Sequence, residues 1–244
     1  MAPTMRVIVF ASQKGGSGKT TLSGHIAVEA QRQGAGPVAL IDTDPQGSLS
    51  KWWNVRKDPE PAFIQSVFSN LFYDLEQARN QGFKLVVIDT PPAVTRAISE
   101  VVSFADLVVL PTRPSPHDMR AVGPTVDIVE QRGKQMVFVV SAAAQKARIT
   151  SEAAIALSQH GTVAPTIIHQ RVDFAASMID GRTVMEIDPT GRSAVEVNQL
   201  WKYLEEKLNR VETPGAGAQK DEAMRAAVAA TPFGRRSFGR RAVH

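Results

Sequence analysis

The residues best suited to chemistry begin with Lys14-Gly15-Gly16-Ser17-Gly18-Lys19-Thr20. Glycines lack a Cβ, so backbone N–H groups here can close around the oxygens of an anion, and a helix starting at the end of the loop would aim its positive terminus at the same anion. Lys19 would then neutralise the outer phosphates of a nucleotide, with Thr20 ligating a magnesium ion that bridges them. Ser17 and Thr21 complete the binding turn. The usual pattern G-x-x-x-x-G-K-[ST] is not met, because Gln13 stands where its first glycine belongs. A second lysine, Lys14, opens the loop instead. The plain alternative is a glycine turn with two solvated lysines.

Carboxylates come next. VALIDTDPQG carries Asp42 and Asp44, and LVVIDTPP carries Asp89 ahead of a rigid Pro-Pro turn. Each follows a β-branched apolar run. In an open parallel sheet, acids just beyond the strand ends sit where ligands bind. Asp89 suits a magnesium ion, held directly or through water; its alternative role is to cap the following helix. For Asp44 the alternative is a simple Asp-Pro turn.

The elements that must position these groups are legible from periodicity. Residues 6–11 (RVIVFA) run into the glycines, and apolar positions at helical spacing follow up to Gly34, which predicts strand, loop, helix. Residues 38–42, 85–89, 107–110 and 137–140 are apolar throughout instead of alternating, as in strands covered on both faces. Helical segments are predicted between them over 70–81, 93–105 and 115–131. The class is therefore α/β, a mostly parallel twisted sheet with helices on both faces. A last helix is expected over 192–211, with Val197, Leu200, Trp201, Leu204, Leu208 and Val211 on one stripe. Beyond it the composition turns to TPGAGAQ and then to Ala and Arg. The chain thus divides into one domain, 1–211, and a basic tail, 212–244, too poor in large apolar residues to form a core.

Composition excludes several functions. With 0 cysteines there is no disulfide framework, thiolate metal site or cysteine-held iron–sulfur cluster. No run approaches the roughly 20 apolar residues of a membrane span, and the start lacks the order of a signal peptide, so a cytoplasmic protein is expected. The net charge of +4 permits a polyanion partner without demanding one.

At these motifs the sequence resembles the ParA/MinD family of deviant Walker A ATPases, with a P-loop NTPase fold of the SIMIBI-like kind. The resemblance extends through APTIIHQRVDFAASMIDG and TVMEIDPTGRSA to cover nearly all of 5–211. It implies ATP and Mg2+ as cofactors. It further implies that Lys14 reaches across a homodimer to the other subunit's ATP, that Asp44 positions the attacking water and that Asp42 lies near the magnesium. Residues 168–173 would border the adenine. LPTRPSPHD (110–118) looks closest to the small partition ATPases. These bind nonspecific DNA as ATP-held dimers and are released when a ParB-like or cargo adaptor protein stimulates slow hydrolysis, which implies nucleoid association. Arg192 matches a family position used for DNA, with Arg171 and Arg182 as nearby helpers; the alternative for each is a solvated or internally paired arginine.

The MinD-like membrane cycle is the alternative reading. Segment 221–230 offers only Met224, Val228 and alanines to a lipid surface, a thin face for that purpose. In the tail, Arg235, Arg236, Arg240 and Arg241, interleaved with Phe233 and Phe238, suit either accessory DNA contact or a solvated end. An iron–sulfur carrier relative is rejected by the missing cysteines.

Overall fold

The computed structural model describes residues 5–210. The tail 212–244, with segment 221–230, lies outside the described residues, as does Val211 at the end of the last expected helix. The strands are β1 (Arg6–Phe10), β2 (Val38–Asp42), β3 (Ala62–Phe63), β4 (Leu85–Asp89), β5 (Leu107–Thr112), β6 (Gln135–Val140) and β7 (Thr162–Val163). They form one sheet in the order β3-β2-β4-β1-β5-β6-β7, parallel at every pairing.

The uninterrupted apolar strands follow from coverage on both faces. Ile8, Phe10, Leu40, Val87 and Val109 belong to one core, shared with Trp201 and Leu204. Their neighbours Val7, Val9, Ile41, Ile88 and Val108 belong to the other, shared with Leu75, Val101 and Leu157. The first core is covered by helices α1 (Lys19–Arg32), α2 (Ser48–Asn54), α8 (Val172–Met178), α9 (Val184–Ile187) and α10 (Arg192–Arg210). The second is covered by α3 (Leu71–Asn80), α4 (Arg96–Ser103), α6 (Gly123–Gln131) and α7 (Arg148–Ser158). The predicted stripe Val197, Leu200, Trp201, Leu204 and Leu208 on α10 is buried.

Several boundaries differ from the periodic reading, for local reasons. The helix expected over 115–131 is two, α5 (Pro116–Arg120) and α6, because Pro124 has no amide to donate back to the Arg120 carbonyl and sits instead in the first turn of a new helix. The helix expected over 93–105 starts at Arg96, where the Thr95 side chain accepts from the Ile98 amide at 3.3 Å. Strands β3 and β7 span two residues each, too short to leave a period. Among the described residues, no helix is long and apolar enough to cross a membrane.

Helix α1 is fixed against α9 by His25, which is fully buried. Its Nδ1 lies 2.7 Å from the Thr21 carbonyl and its Nε2 accepts from the Val184 amide at 3.3 Å, so the neutral ring with hydrogen on Nδ1 satisfies both. Burial lowers its pKa to about 4, with Thr21 and Glu186 opposing the shift and Arg56 adding to it. The unfolded chain therefore binds the extra proton first. His25 contributes full stability above pH 6.5, and this contribution falls by about 3 kcal/mol as pH drops towards 4. Urea unfolding at pH 7.5 and pH 4.5 should show a larger acid loss for the wild type than for His25→Leu. Equal losses would remove His25 from the pH response.

Candidate functional site

The chain leaves β1 to one side through α1 and β2, and after β4 crosses to the other side into β5. The reversal opens a crevice at the carboxyl end of β1, which is where the glycine loop lies. Gly18 caps α1 in the left-handed region, with φ of 97°. No side chain caps this helix and no acid lies in its first turn, so its amides and the positive end of its dipole face the loop. This is the arrangement an anion requires. The Ser17 hydroxyl is buried without a hydrogen-bond partner, a second polar group suited to a ligand. The loop is braced from β6, where the Ser141 hydroxyl donates to the Ser17 carbonyl at 2.7 Å.

Lys19 is 6% exposed, and its ammonium donates to the Ser12 and Lys14 carbonyls, both at 3.1 Å. Burial lowers its pKa, while the charges of Asp89 and Asp44 act to raise it. Lys14 is half-buried, and among the described residues no carboxylate pairs with its side chain. The loop therefore brings both lysines, Gly15, Gly16, Ser17, Thr20 and Thr21 to one end of the sheet.

Asp42 and Asp89 are register partners on β2 and β4, which places the acids side by side. Asp89 is wholly buried and accepts from the Thr20 hydroxyl at 2.6 Å. Burial pushes its carboxyl up to about 7; the Thr20 bond and the Lys19 charge oppose this, and Asp42 and Asp44 add to it. The Asp89 carbonyl accepts from the Thr43 amide and hydroxyl at 3.0 and 2.7 Å, fixing the β2 turn to β4. Asp42 is also held by backbone amides. Its Oδ2 accepts from the Leu49 and Ser50 amides, both at 3.0 Å, and its Oδ1 from the Asp44 amide at 3.0 Å. Asp42 thus caps α2 and sets the loop carrying Asp44. Asp44 itself accepts from the Gln46 amide at 2.9 Å, the Asp-Pro turn, while acting through space on Lys19 and Asp89.

These groups fit a nucleotide with magnesium. Among the described residues no three acidic or histidine side chains converge into a ready metal cage. Magnesium needs none, since it keeps waters and takes phosphate oxygens beside one or two protein ligands. Thr20 and Asp89 would supply those, with Asp42 behind them.

Within segment 168–173, residues 168–170 run beside the end of β6 as a short continuation of the sheet, and α8 begins at Val172. The Ile168 amide donates to Val140 at 2.9 Å, the Ala143 amide to Ile168 at 3.1 Å, and Ala143 bridges His169. The arginines divide by their partners. Arg171 forks onto Glu196 with two bonds of 2.7 Å, and Glu196 also takes the His169 amide at 3.1 Å. Burial pushes Glu196 up, but those bonds hold its carboxyl below its usual range. Arg182 pairs with Asp180 at 2.7 Å on the surface. Arg192 is exposed at the start of α10, and no acid among the described residues pairs with it. The corner between α8 and α9 is tied to α2: buried Arg56 donates to the Gly181 carbonyl at 2.6 Å and pairs with Glu186 at 2.8 Å, and the Trp52 indole donates to the Arg182 carbonyl at 3.2 Å.

Sequence reasoning missed Ser141 and Arg113. Ser141 carries no signal of its own. Arg113 directly follows β5, so the rule that strand ends hold ligands would have found it.

Over residues 8–233 the chain matches the CobQ/CobB/MinD/ParA nucleotide binding domain. It is 29% identical to the maintenance of carboxysome distribution protein A of Halothiobacillus neapolitanus, across 79% of this chain and 93% of that protein. It is 24% identical to the chromosome-partitioning ATPase Soj of Thermus thermophilus, across 85% of this chain and 97% of Soj. Among solved structures, the ATP complex of a Cyanothece McdA variant superposes with a TM-score of 0.70 at 16% identity, across 84% of this chain and 97% of that one. The last is a likeness of fold alone.

Proposed function

The chain belongs to the CobQ/CobB/MinD/ParA nucleotide-binding family, and from that premise we propose that it is a ParA-like positioning ATPase. Its ATP-bound form is a sandwich homodimer that holds DNA without regard to sequence. Hydrolysis to ADP and phosphate, stimulated by a ParB-like or cargo adaptor protein, releases the DNA. The cycle segregates or positions a plasmid, a chromosomal locus or a protein cargo in the cytoplasm, on the nucleoid. Relatives named for carboxysome distribution and for chromosome partitioning support this reading.

One observation carries it: a single loop, ahead of an uncapped helix, carries two lysines and sets Thr20 against Asp89 at the end of β4. Mg–ATP supplies the electrophilic phosphorus and its metal. The residues of the chain do the rest. The loop amides and Lys19 hold the phosphates; Thr20 and Asp89 hold the metal, supported by Asp42; Asp44 orients the water. Lys14 extends to the ATP of the second copy, so the dimer persists only while the triphosphate is intact. Residues 168–173 wall the adenine.

On the DNA face, Arg192 makes the principal phosphate contact. Arg182 assists from the surface, and Arg171, engaged by Glu196, shapes the patch from behind. Dimerisation doubles the patch, which makes DNA affinity steep in nucleotide state. The test is DNA co-sedimentation with ATP and with ADP. The wild type should pellet with ATP only, and Arg192→Glu should hydrolyse ATP normally but lose DNA about tenfold or more, with a shallower salt dependence. Unchanged, salt-sensitive DNA binding by Arg192→Glu would refute the assignment.

A further inference from the structure

Arg113, the first residue after β5, lies across the glycine loop. Its Nη2 donates to the Gly15 carbonyl at 3.0 Å. The guanidinium lies so near the loop that a Cβ on Gly16 would meet it at 2.9 Å, and Gly16 is itself in the left-handed region with φ of 69°, a backbone that favours glycine. The side chain is 41% exposed and is aimed by Asp118, whose Oδ1 lies 3.5 Å from the Arg113 Nε. Asp118 is itself fixed by the Ser115 hydroxyl, and its amide donates to the Ser115 Oγ at 3.1 Å.

The hold on Arg113 is incomplete. Its Nε and the Asp118 Oδ1 are both buried, and neither makes a hydrogen bond. A guanidinium carries five donors, and in this arrangement it is kept by one neutral carbonyl and a loose charge contact. Lys19 holds the Lys14 carbonyl and Arg113 the very next one, Gly15, so two cations grip consecutive carbonyls of the same loop. A phosphate oxygen is a stronger acceptor for either cation than a peptide carbonyl. Lys19 lies deep in the loop, and Arg113 sits at its exposed edge.

Given the nucleotide reading above, on which this rests, we propose that Arg113 is a phosphate-binding residue. It exchanges the Gly15 carbonyl for the outermost phosphate and so separates ATP from ADP. Asp118 is its positioning residue. The family-derived roles of Lys14, Lys19 and Asp44 do not include this one.

The experiment is a binding titration of the full chain with N-methylanthraniloyl ATP and ADP in magnesium, comparing wild type, Arg113→Gln and Arg113→Lys. Arg113→Gln should weaken the triphosphate about tenfold or more and leave the diphosphate within about twofold. Arg113→Lys keeps the charge and fills similar space but cannot fork, so it should fall between; it also carries the test should Arg113→Gln fail to fold. Equal losses for both nucleotides would make Arg113 a clasp of the loop and overturn the proposal, as would unchanged affinities. A wild type that binds neither nucleotide would refute the nucleotide reading itself, an outcome distinct from a failure at Arg113.

Discussion

Asp44→Ala should bind ATP normally, hydrolyse it about a hundredfold or more slowly, and accumulate as the ATP-bound dimer. The expectation follows from where Asp44 sits. Its backbone is set by Asp42, which accepts the Asp44 amide at 3.0 Å and caps α2 with its other oxygen. Its own carboxylate is in electrostatic reach of Lys19 and Asp89, close to the phosphates those residues would hold. Removing it leaves the glycine loop, Lys19 and the Thr20–Asp89 contact untouched, so binding survives while the water loses its orienting group. Single-turnover hydrolysis beside nucleotide binding measures both quantities. Rapid hydrolysis by Asp44→Ala would remove Asp44 from the mechanism and leave it an Asp-Pro turn.

Lys14→Ala should keep monomer ATP binding and lose ATP-dependent dimerisation. In the monomer the Lys14 carbonyl, not its side chain, contributes to the loop, by accepting from Lys19 at 3.1 Å. Truncation to alanine leaves that carbonyl in place. In a symmetric dimer the lost charged hydrogen bond is lost twice, at about 1.5–3 kcal/mol each. Dimer affinity should therefore fall by roughly a hundredfold to ten-thousandfold. An unaffected dimer would show that Lys14 acts within its own subunit.

The glycine loop and the acids of β2 and β4 are readable in the sequence because each rests on one local requirement: no Cβ beside an anion, and a carboxylate at the end of an apolar strand. Roles set by packing are not. Asp42 is readable as an acid at a strand end, but that its Oδ2 also takes two amides of α2 and its Oδ1 the Asp44 amide is not, because an amide partner leaves no trace in residue type. The contacts of Arg113 with Gly15 and of Ser141 with Ser17 join residues 98 and 124 positions apart. They exist only because β5 and β6 end beside the loop. In sequence Arg171 is one more surface cation; it is α10 that brings Glu196 against it. The sheet is legible because both its faces are covered, whereas the two-residue strands β3 and β7 are too short to carry a period.

In the proposed cycle the loop's two lysines serve different ends, Lys19 the nucleotide and Lys14 the second copy, which makes ATP the trigger of dimerisation. Sedimentation velocity of the wild-type chain in magnesium, with ATP, with ADP and without nucleotide, tests that claim most directly. Conversion from one copy to two is expected with ATP alone, reversed as the ATP is consumed. The same mass in all three conditions would contradict it.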